Sequence, residues 1–255
     1  MTIENKIVLI TGASSGIGRE LARQLAGKNN QLILIARRRQ RLEELLTELP
    51  APDAQRQHLI YRCDVSDQHQ VKSSCDDLID KKLVPQVLLL NAGVGSSYNI
   101  NHMDLNAFKA TFDVNFWGVL YFIDYFYPYF RDRNMPSMIA ATASLAGYRG
   151  MPGSAPYSSG KAALINLMES LYIDLYKSDI QITTISPGFV QSEMTDENEF
   201  YMPFFLSTDK AVRRIVRGLE KGKAEIHFPY RLSIAAKLSR LLPHRWYAKL
   251  MYNKR

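Results

Sequence analysis

The chain has 255 residues, 46% hydrophobic and 22% charged, with 14 Gly and 11 Pro, a balance that suits a globular protein and excludes fibrous and disordered classes. Cys63 and Cys75 are the only cysteines, which excludes a disulfide framework and leaves no Cys-x-x-Cys pair for zinc or redox chemistry. The net charge of +7 belongs to one end: residues 231–255 hold seven bases and no acid, and the other 25 bases match the 25 acids.

Residues Met1 to Ile10 lack the charged-then-apolar order of a secretory signal, so a cytoplasmic location is expected. From there to about residue 228, short apolar runs alternate with helical patterns, the signature of βαβ units. Strands are predicted at Lys6–Ile10, Gln31–Ala36, Gln57–Arg62, Gln86–Leu90, Ser137–Ala143, Ile180–Ile185 and Ala224–Phe228. Helices are predicted at Gly16–Gly27, Arg38–Leu49, Ser66–Lys81, Leu105–Arg131, Tyr157–Lys177 and Thr208–Lys221. The expected fold is one α/β domain over residues 1–230, a doubly wound parallel sheet of the Rossmann type, followed by a basic tail at 231–255. The most apolar stretch, Val114–Phe130, contains Asn115 and Asp124 and falls short of the roughly 20 residues a membrane-spanning helix needs, so it is read as a buried helix.

The first strand runs into Gly12-Ala13-Ser14-Ser15-Gly16-Ile17-Gly18 and then a helix, an arrangement in which glycines admit phosphate oxygens and free helix N–H groups attract them. The same residues match the Gly-x-Ser-x-Gly elbow of hydrolases, but the late histidines, His227 and His244, fall in a strand and in the tail, and no His-Gly-Gly-Gly segment precedes the turn. Gly153–Lys161 fails as a phosphate-binding P-loop, since Ala155 and Ala162 stand where Gly and Ser/Thr are required. After the second strand comes Arg37-Arg38-Arg39 with no acid, which points to the 2′-phosphate of NADP(H), with Arg37 and Arg38 as its contacts. A solvated basic first helical turn is the alternative. Tyr157 and Lys161, four residues apart, share a helix face, where an ammonium would favour the phenolate.

In their order along the chain these pieces resemble the short-chain dehydrogenase/reductase family over roughly residues 5–230. The resemblance takes in Thr11–Gly18, the adenine-side pair Asp64-Val65, the strand end Asn91-Ala92-Gly93, and Asn115, Ser144, Tyr157 and Lys161. It also takes in Pro187-Gly188 with Val190 and Ser192, where Ser192 replaces the more usual Thr; Leu90 likewise replaces a frequent Asn. The resemblance implies a hydride transfer between nicotinamide and a carbonyl or secondary alcohol. Tyr157 would be the general acid or base, Ser144 would orient the oxygen, Lys161 would hold the nicotinamide ribose, and Asn115 would support a proton relay. A catalytically silent dinucleotide-binding sensor or scaffold is the alternative.

The apolar segment after Gly188, with Phe189, Met194, Phe200, Tyr201, Met202 and Phe204 to Leu206, lies where the family has a substrate lid, and suggests a bulky or lipid-like substrate. The aromatic helix carries apolar groups on more than one face, and with the Tyr157 helix it resembles the family's oligomer-forming surface, implying a homodimer or homotetramer. In the tail, bases alternate with Leu238, Leu241, Leu242, Trp246 and Tyr247. That pattern suits peripheral membrane contact or docking on the protein's own domain. No nucleic-acid partner is expected, since no base-reading motif accompanies the charge, and the histidines show no metal-ligand spacing.

Overall fold

A parallel strand covered by helices on both faces buries every side chain, and the unbroken apolar runs become such strands. The computed structural model describes residues 1–53, 56–95, 98–133, 136–196 and 202–252. It has β1 (Ile7–Thr11), β2 (Gln31–Ala36), β3 (Leu59–Arg62), β4 (Val87–Leu90), β5 (Ser137–Thr142), β6 (Ile180–Pro187) and β7 (Glu225–Phe228). All pair in parallel in the order β3-β2-β1-β4-β5-β6-β7. The expected doubly wound seven-stranded sheet is therefore what the chain forms.

One layer consists of α1 (Gly16–Ala26), α2 (Arg39–Glu48) and α8 (Thr208–Glu220), whose Leu21, Leu42 and Ile215 pack on Ile10, Leu34 and Ile226. The other consists of α3 (Gln68–Asp80), the helix pair α4 (Leu105–Phe112) and α5 (Gly118–Arg133), and α6 (Ala155–Asp174). Val71, Phe122, Phe126 and Leu164 fill that side against Leu9, Leu88 and Ile139. The short α7 (Glu193–Asp196) follows β6.

The sequence predicts one helix across Leu105–Arg131; the structure interrupts it with a π-helical turn at Asp113–Trp117. Turns of this kind concentrate at functional sites, and this one carries Asn115, which it leaves fully buried. Gly118 lets the turn approach the β3–α3 connection: a Cβ there would lie 2.9 Å from the Val65 carbonyl oxygen. Hydrophobic periodicity barely distinguishes a π turn from an α turn, so the sequence pattern carries no sign of it.

Beyond β7 the chain forms α9 (Tyr230–Ser239) and α10 (His244–Tyr252), both anchored to the domain. Ser233 is fully buried, with its Oγ 2.6 Å from His227 Nδ1. The Glu225 carboxylate accepts from both Lys237 and the Tyr148 phenol. Burial works to raise the Glu225 carboxyl, yet those two partners hold it below its ordinary range. The Arg149 guanidinium lies 3.8 Å from the Tyr247 ring centroid and donates to the Leu242 carbonyl at 2.9 Å, while the Tyr247 hydroxyl donates to Gly150.

Candidate active site

The strand order reverses between β1 and β4, and a crevice forms outside the carboxyl ends of those strands. Thr11 closes it from below: its hydroxyl accepts from the backbone N–H of Asn91 at 2.9 Å and of Ala92 at 3.0 Å. Gly12 has φ +68°, and a Cβ on it would lie 2.8 Å from the Ala92 Cα, so no other residue fits. Gly18 is as tightly constrained, its added Cβ falling 2.2 Å from the Gly12 carbonyl oxygen. Helix α1 starts at Gly16 with no side-chain cap and no acid in its first turn, while Ile17 packs on the core. The Ser15 hydroxyl, which would ordinarily cap such a helix, instead accepts from Arg38 at 2.8 Å. The first-turn N–H groups are thus left to an anion.

At the end of β2, Arg38 also reaches the Ser14 hydroxyl at 3.2 Å, and its other arm donates to Glu193 at 2.7 Å. Arg37 points away, 63% exposed and 3.8 Å from Asp64, whose neighbour Val65 is buried against Gly118. Sequence reasoning missed Arg41, which stands three residues beyond Arg38 and grips the same Glu193 carboxylate. Its i,i+3 spacing from Arg38 was the available signal.

Asn115, Ser144, Tyr157 and Lys161 meet at the ends of β4 and β5. Asn115 clasps the backbone of Val94, accepting from its N–H and donating to its carbonyl, both at 2.9 Å. That clasp sets Gly93 where a Cβ would lie 3.0 Å from Asn115 Oδ1 and 3.3 Å from Lys161 Nζ, so the amide oxygen and the ammonium face one small space. Ser144 is a nearly buried strand-end residue whose Oγ accepts from Ala146 and whose hydroxyl reaches Tyr157. Lys161, one turn along α6, is buried; its Nζ donates to the Thr142 carbonyl at 2.7 Å and lies 5.8 Å from the Tyr157 ring centroid. On the far wall, Pro187 ends β6, the Gly188 N–H donates to Phe228 at 2.7 Å, and Val190 is buried. Ser192 lies over Gly16, which an added Cβ would bring within 3.2 Å of the Ser192 Cβ.

The electrostatics differ from the simple expectation of an ammonium favouring a phenolate. Burial pushes the Tyr157 phenol up, against a lesser downward pull from the Ser144 hydroxyl, and pushes the Lys161 ammonium down to about 7. The protein by itself therefore keeps a proton on Tyr157 and holds Lys161 poised near neutrality. An unfolded lysine keeps its proton to about pH 10.5. Between 7 and 10.5 the unfolded chain binds more protons than the native one, and native stability must rise with pH there. The thermal midpoint should accordingly climb from pH 7 to 9.5 in the unliganded protein and lose that slope in Lys161→Met; equal slopes would refute the buried lysine's role.

The glycine cradle, the uncapped helix end and the paired guanidinium groups fit a dinucleotide: the first two admit and attract a pyrophosphate, and the third suits a further phosphate. The family model for short chain dehydrogenases matches residues 6–200. An uncharacterized oxidoreductase of Myxococcus xanthus is 33% identical over 239 residues, covering 94% of this chain and 93% of its own. An 11-beta-hydroxysteroid dehydrogenase of Pinus massoniana is 33% identical over 245 residues, 89% of this chain and 68% of its own. Among solved structures, a short chain dehydrogenase/reductase from Burkholderia phymatum in complex with NAD aligns with TM-score 0.84 at 24% identity, covering 94% of this chain and 95% of that one. A short-chain dehydrogenase from Sphingobium yanoikuyae in complex with NADPH aligns with TM-score 0.81 at 22% identity, covering 98% and 96%.

Proposed function

This chain belongs to the short-chain dehydrogenase family of nicotinamide-dependent oxidoreductases, and from that premise we propose that it interconverts a bulky apolar ketone and its secondary alcohol with NADP(H). The observation that carries the reading is the meeting of Ser144, Tyr157 and Lys161 beside the glycine cradle.

When bound, the cofactor supplies or accepts the hydride. The chain's part is the proton. In reduction the Tyr157 phenol, held protonated by burial, donates to the carbonyl oxygen as negative charge develops there, and the Ser144 hydroxyl donates a second hydrogen bond that orients the same oxygen. Lys161 holds the nicotinamide ribose; a protonated Nζ there also lowers the cost of the transient phenolate. Asn115 positions Gly93 and Val94 and presents Oδ1 toward Lys161 for the relay that restores the Tyr157 proton. Gly12 to Gly18 and the first turn of α1 take the pyrophosphate; Asp64, Val65 and Asn91 to Gly93 line the adenosine side; Pro187, Gly188, Val190 and Ser192 line the nicotinamide side. Arg38, with Arg41 beside it and Arg37 on the Asp64 side, takes the 2′-phosphate, and the absence of an acid at the end of β2 supports NADP(H) over NAD(H).

The apolar substrate is supported by the 11-beta-hydroxysteroid dehydrogenase relatives and by side chains beyond Gly188: Phe204 and Phe205 are 52% and 44% exposed, and Met194 reaches over Gly95. Phe200 and Tyr201 lie outside the described residues. Tyr157→Phe should lower turnover by about 10²- to 10⁴-fold on a panel of bulky ketones while leaving NADPH affinity nearly unchanged; retained turnover would remove Tyr157 from the chemistry.

We further propose a homo-oligomer through α5 and α6, where Trp117 in the π turn just before α5, Tyr172 and Ile173 on α6 and Tyr176 just after it are exposed. Sedimentation at micromolar concentration should return a multiple of 29.1 kDa, and a monomer mass excludes this interface. The tail, at 231–255, is proposed as a unit that contacts anionic bilayers from its outer side. There Leu241, Trp246 and Leu250 are exposed among Arg240, Arg245 and Lys249, and no helix of the described residues is long and apolar enough to cross a membrane. Vesicles containing phosphatidylserine should pellet the full chain more than Trp246→Ala/Leu250→Ala; equal pelleting of both proteins excludes the contact.

A further inference from the structure

The Glu193 carboxylate occupies a position that the function does not explain. It is the first residue of α7, on the substrate side of the crevice, yet it reaches across to the adenosine side. There one oxygen accepts from Arg38 Nη1 at 2.7 Å and the other pairs with Arg41. Arg38 meanwhile gives its Nε and Nη2 N–H groups to the Ser14 and Ser15 hydroxyls, so four of its five N–H groups are already engaged by the protein itself. The residue before Glu193 lies over Gly16 in the cofactor turn. Behind it, the Thr195 hydroxyl accepts from the Ser192 N–H at 2.9 Å and bonds the Val190 carbonyl at 2.9 Å, so Val190 to Thr195 form one hydrogen-bonded unit.

We infer that Glu193 is a built-in competitor for the cofactor's 2′-phosphate: it fills the Arg38/Arg41 site until a phosphate dianion displaces it, and its release frees the Val190–Asp196 segment. This rests on the NADP(H) reading above and adds to it a discriminating residue and a route of coupling. A carboxylate and a phosphate oxygen compete for the same bidentate donors, and the dianion wins on charge and on acceptor number. With both groups at the site, an uncompensated carboxylate would face a phosphate, so occupancy by one expels the other. NADH, whose ribose carries only hydroxyls there, has no such demand and leaves the Glu193 contacts in place. The side chains involved are between two-fifths and one-half exposed, so the latch is weak enough to open on binding.

The test titrates the full chain and Glu193→Gln with NADPH, NADH, adenosine 2′,5′-bisphosphate and adenosine 5′-monophosphate by calorimetry. Glu193→Gln should bind NADPH and the bisphosphate about three- to tenfold more tightly, with NADH and the monophosphate unchanged. Unchanged or weaker binding of NADPH, or an equal gain for NADH, overturns the competitor. A wild-type protein that binds neither dinucleotide defeats the cofactor reading beneath it, which separates the two failures. Hydrogen exchange over Val190–Asp196 supplies the second readout, which a merely structural ion pair would not move. In wild type it should rise with the bisphosphate relative to the monophosphate, and in Glu193→Gln it should be raised already and respond equally to both. Identical exchange with the two nucleotides in wild type overturns the coupling.

Discussion

The close approach of β1 and β4 at their carboxyl ends sets the geometry of everything above them. The Thr11 hydroxyl receives two consecutive backbone N–H groups from Asn91 and Ala92 just beyond β4, which seats Ala92 under Gly12 at a distance only glycine tolerates. That contact leaves Gly12 to Gly18 nowhere to go but into a tight turn, and starts α1 with its N–H groups facing the crevice. It also aims the chain beyond Asn91 toward the π turn, where Asn115 grips Val94. The glycine cradle and the Asn115 clasp thus descend from one strand edge, and a side chain at Gly12 would shift both at once.

Above that edge the site is governed by desolvation more than by direct charge pairing. Lys161 is buried with a backbone carbonyl as its partner and no carboxylate beside it among the described residues, so its ammonium is held at a cost that its position makes unavoidable. The same burial keeps Tyr157 protonated. Both neighbouring groups are thus pushed toward their neutral forms, a phenol and an amine, so moving a proton from one to the other would separate charge in a poorly solvated place. A surface Tyr and Lys at the same helical spacing would be a fixed phenol and a fixed cation.

Much of this was legible in the residues, for identifiable reasons. The central strands are unbroken apolar runs that only a doubly covered sheet accommodates, and all seven appear within about two residues of where patterning puts them. Gly12, Gly16 and Gly18 announced a turn because no other residue adopts their backbone or spacing. The π turn at Asp113–Trp117 was not legible, because its hydrophobic faces differ little from those of an ordinary helix. Arg41 lies one turn past the strand end where an NADP-binding arginine is ordinarily sought, yet that turn of helix returns to the same face. The reversal of the Tyr157 expectation has the plainest cause: spacing says that two groups meet but says nothing of how much water surrounds them, and at this site water decides the sign.

The basic residues divide by the same criterion. Arg149 and Lys237 tie α10 and α9 to the domain by stacking on Tyr247 and by pairing with Glu225, and although Lys237 is itself as exposed as Arg41, Glu225 is less exposed than Glu193 and bonds the buried Tyr148. Such contacts persist because breaking any one leaves a poorly solvated group without its partner. Arg38 and Arg41 face open crevice, where the free energy of an ion pair is small and water replaces a lost partner cheaply. An exchange of anions costs little only in the second setting. The proposed exchange of the Glu193 carboxylate for a phosphate therefore requires a position that stays wet, and the exposure of this arginine pair meets that condition.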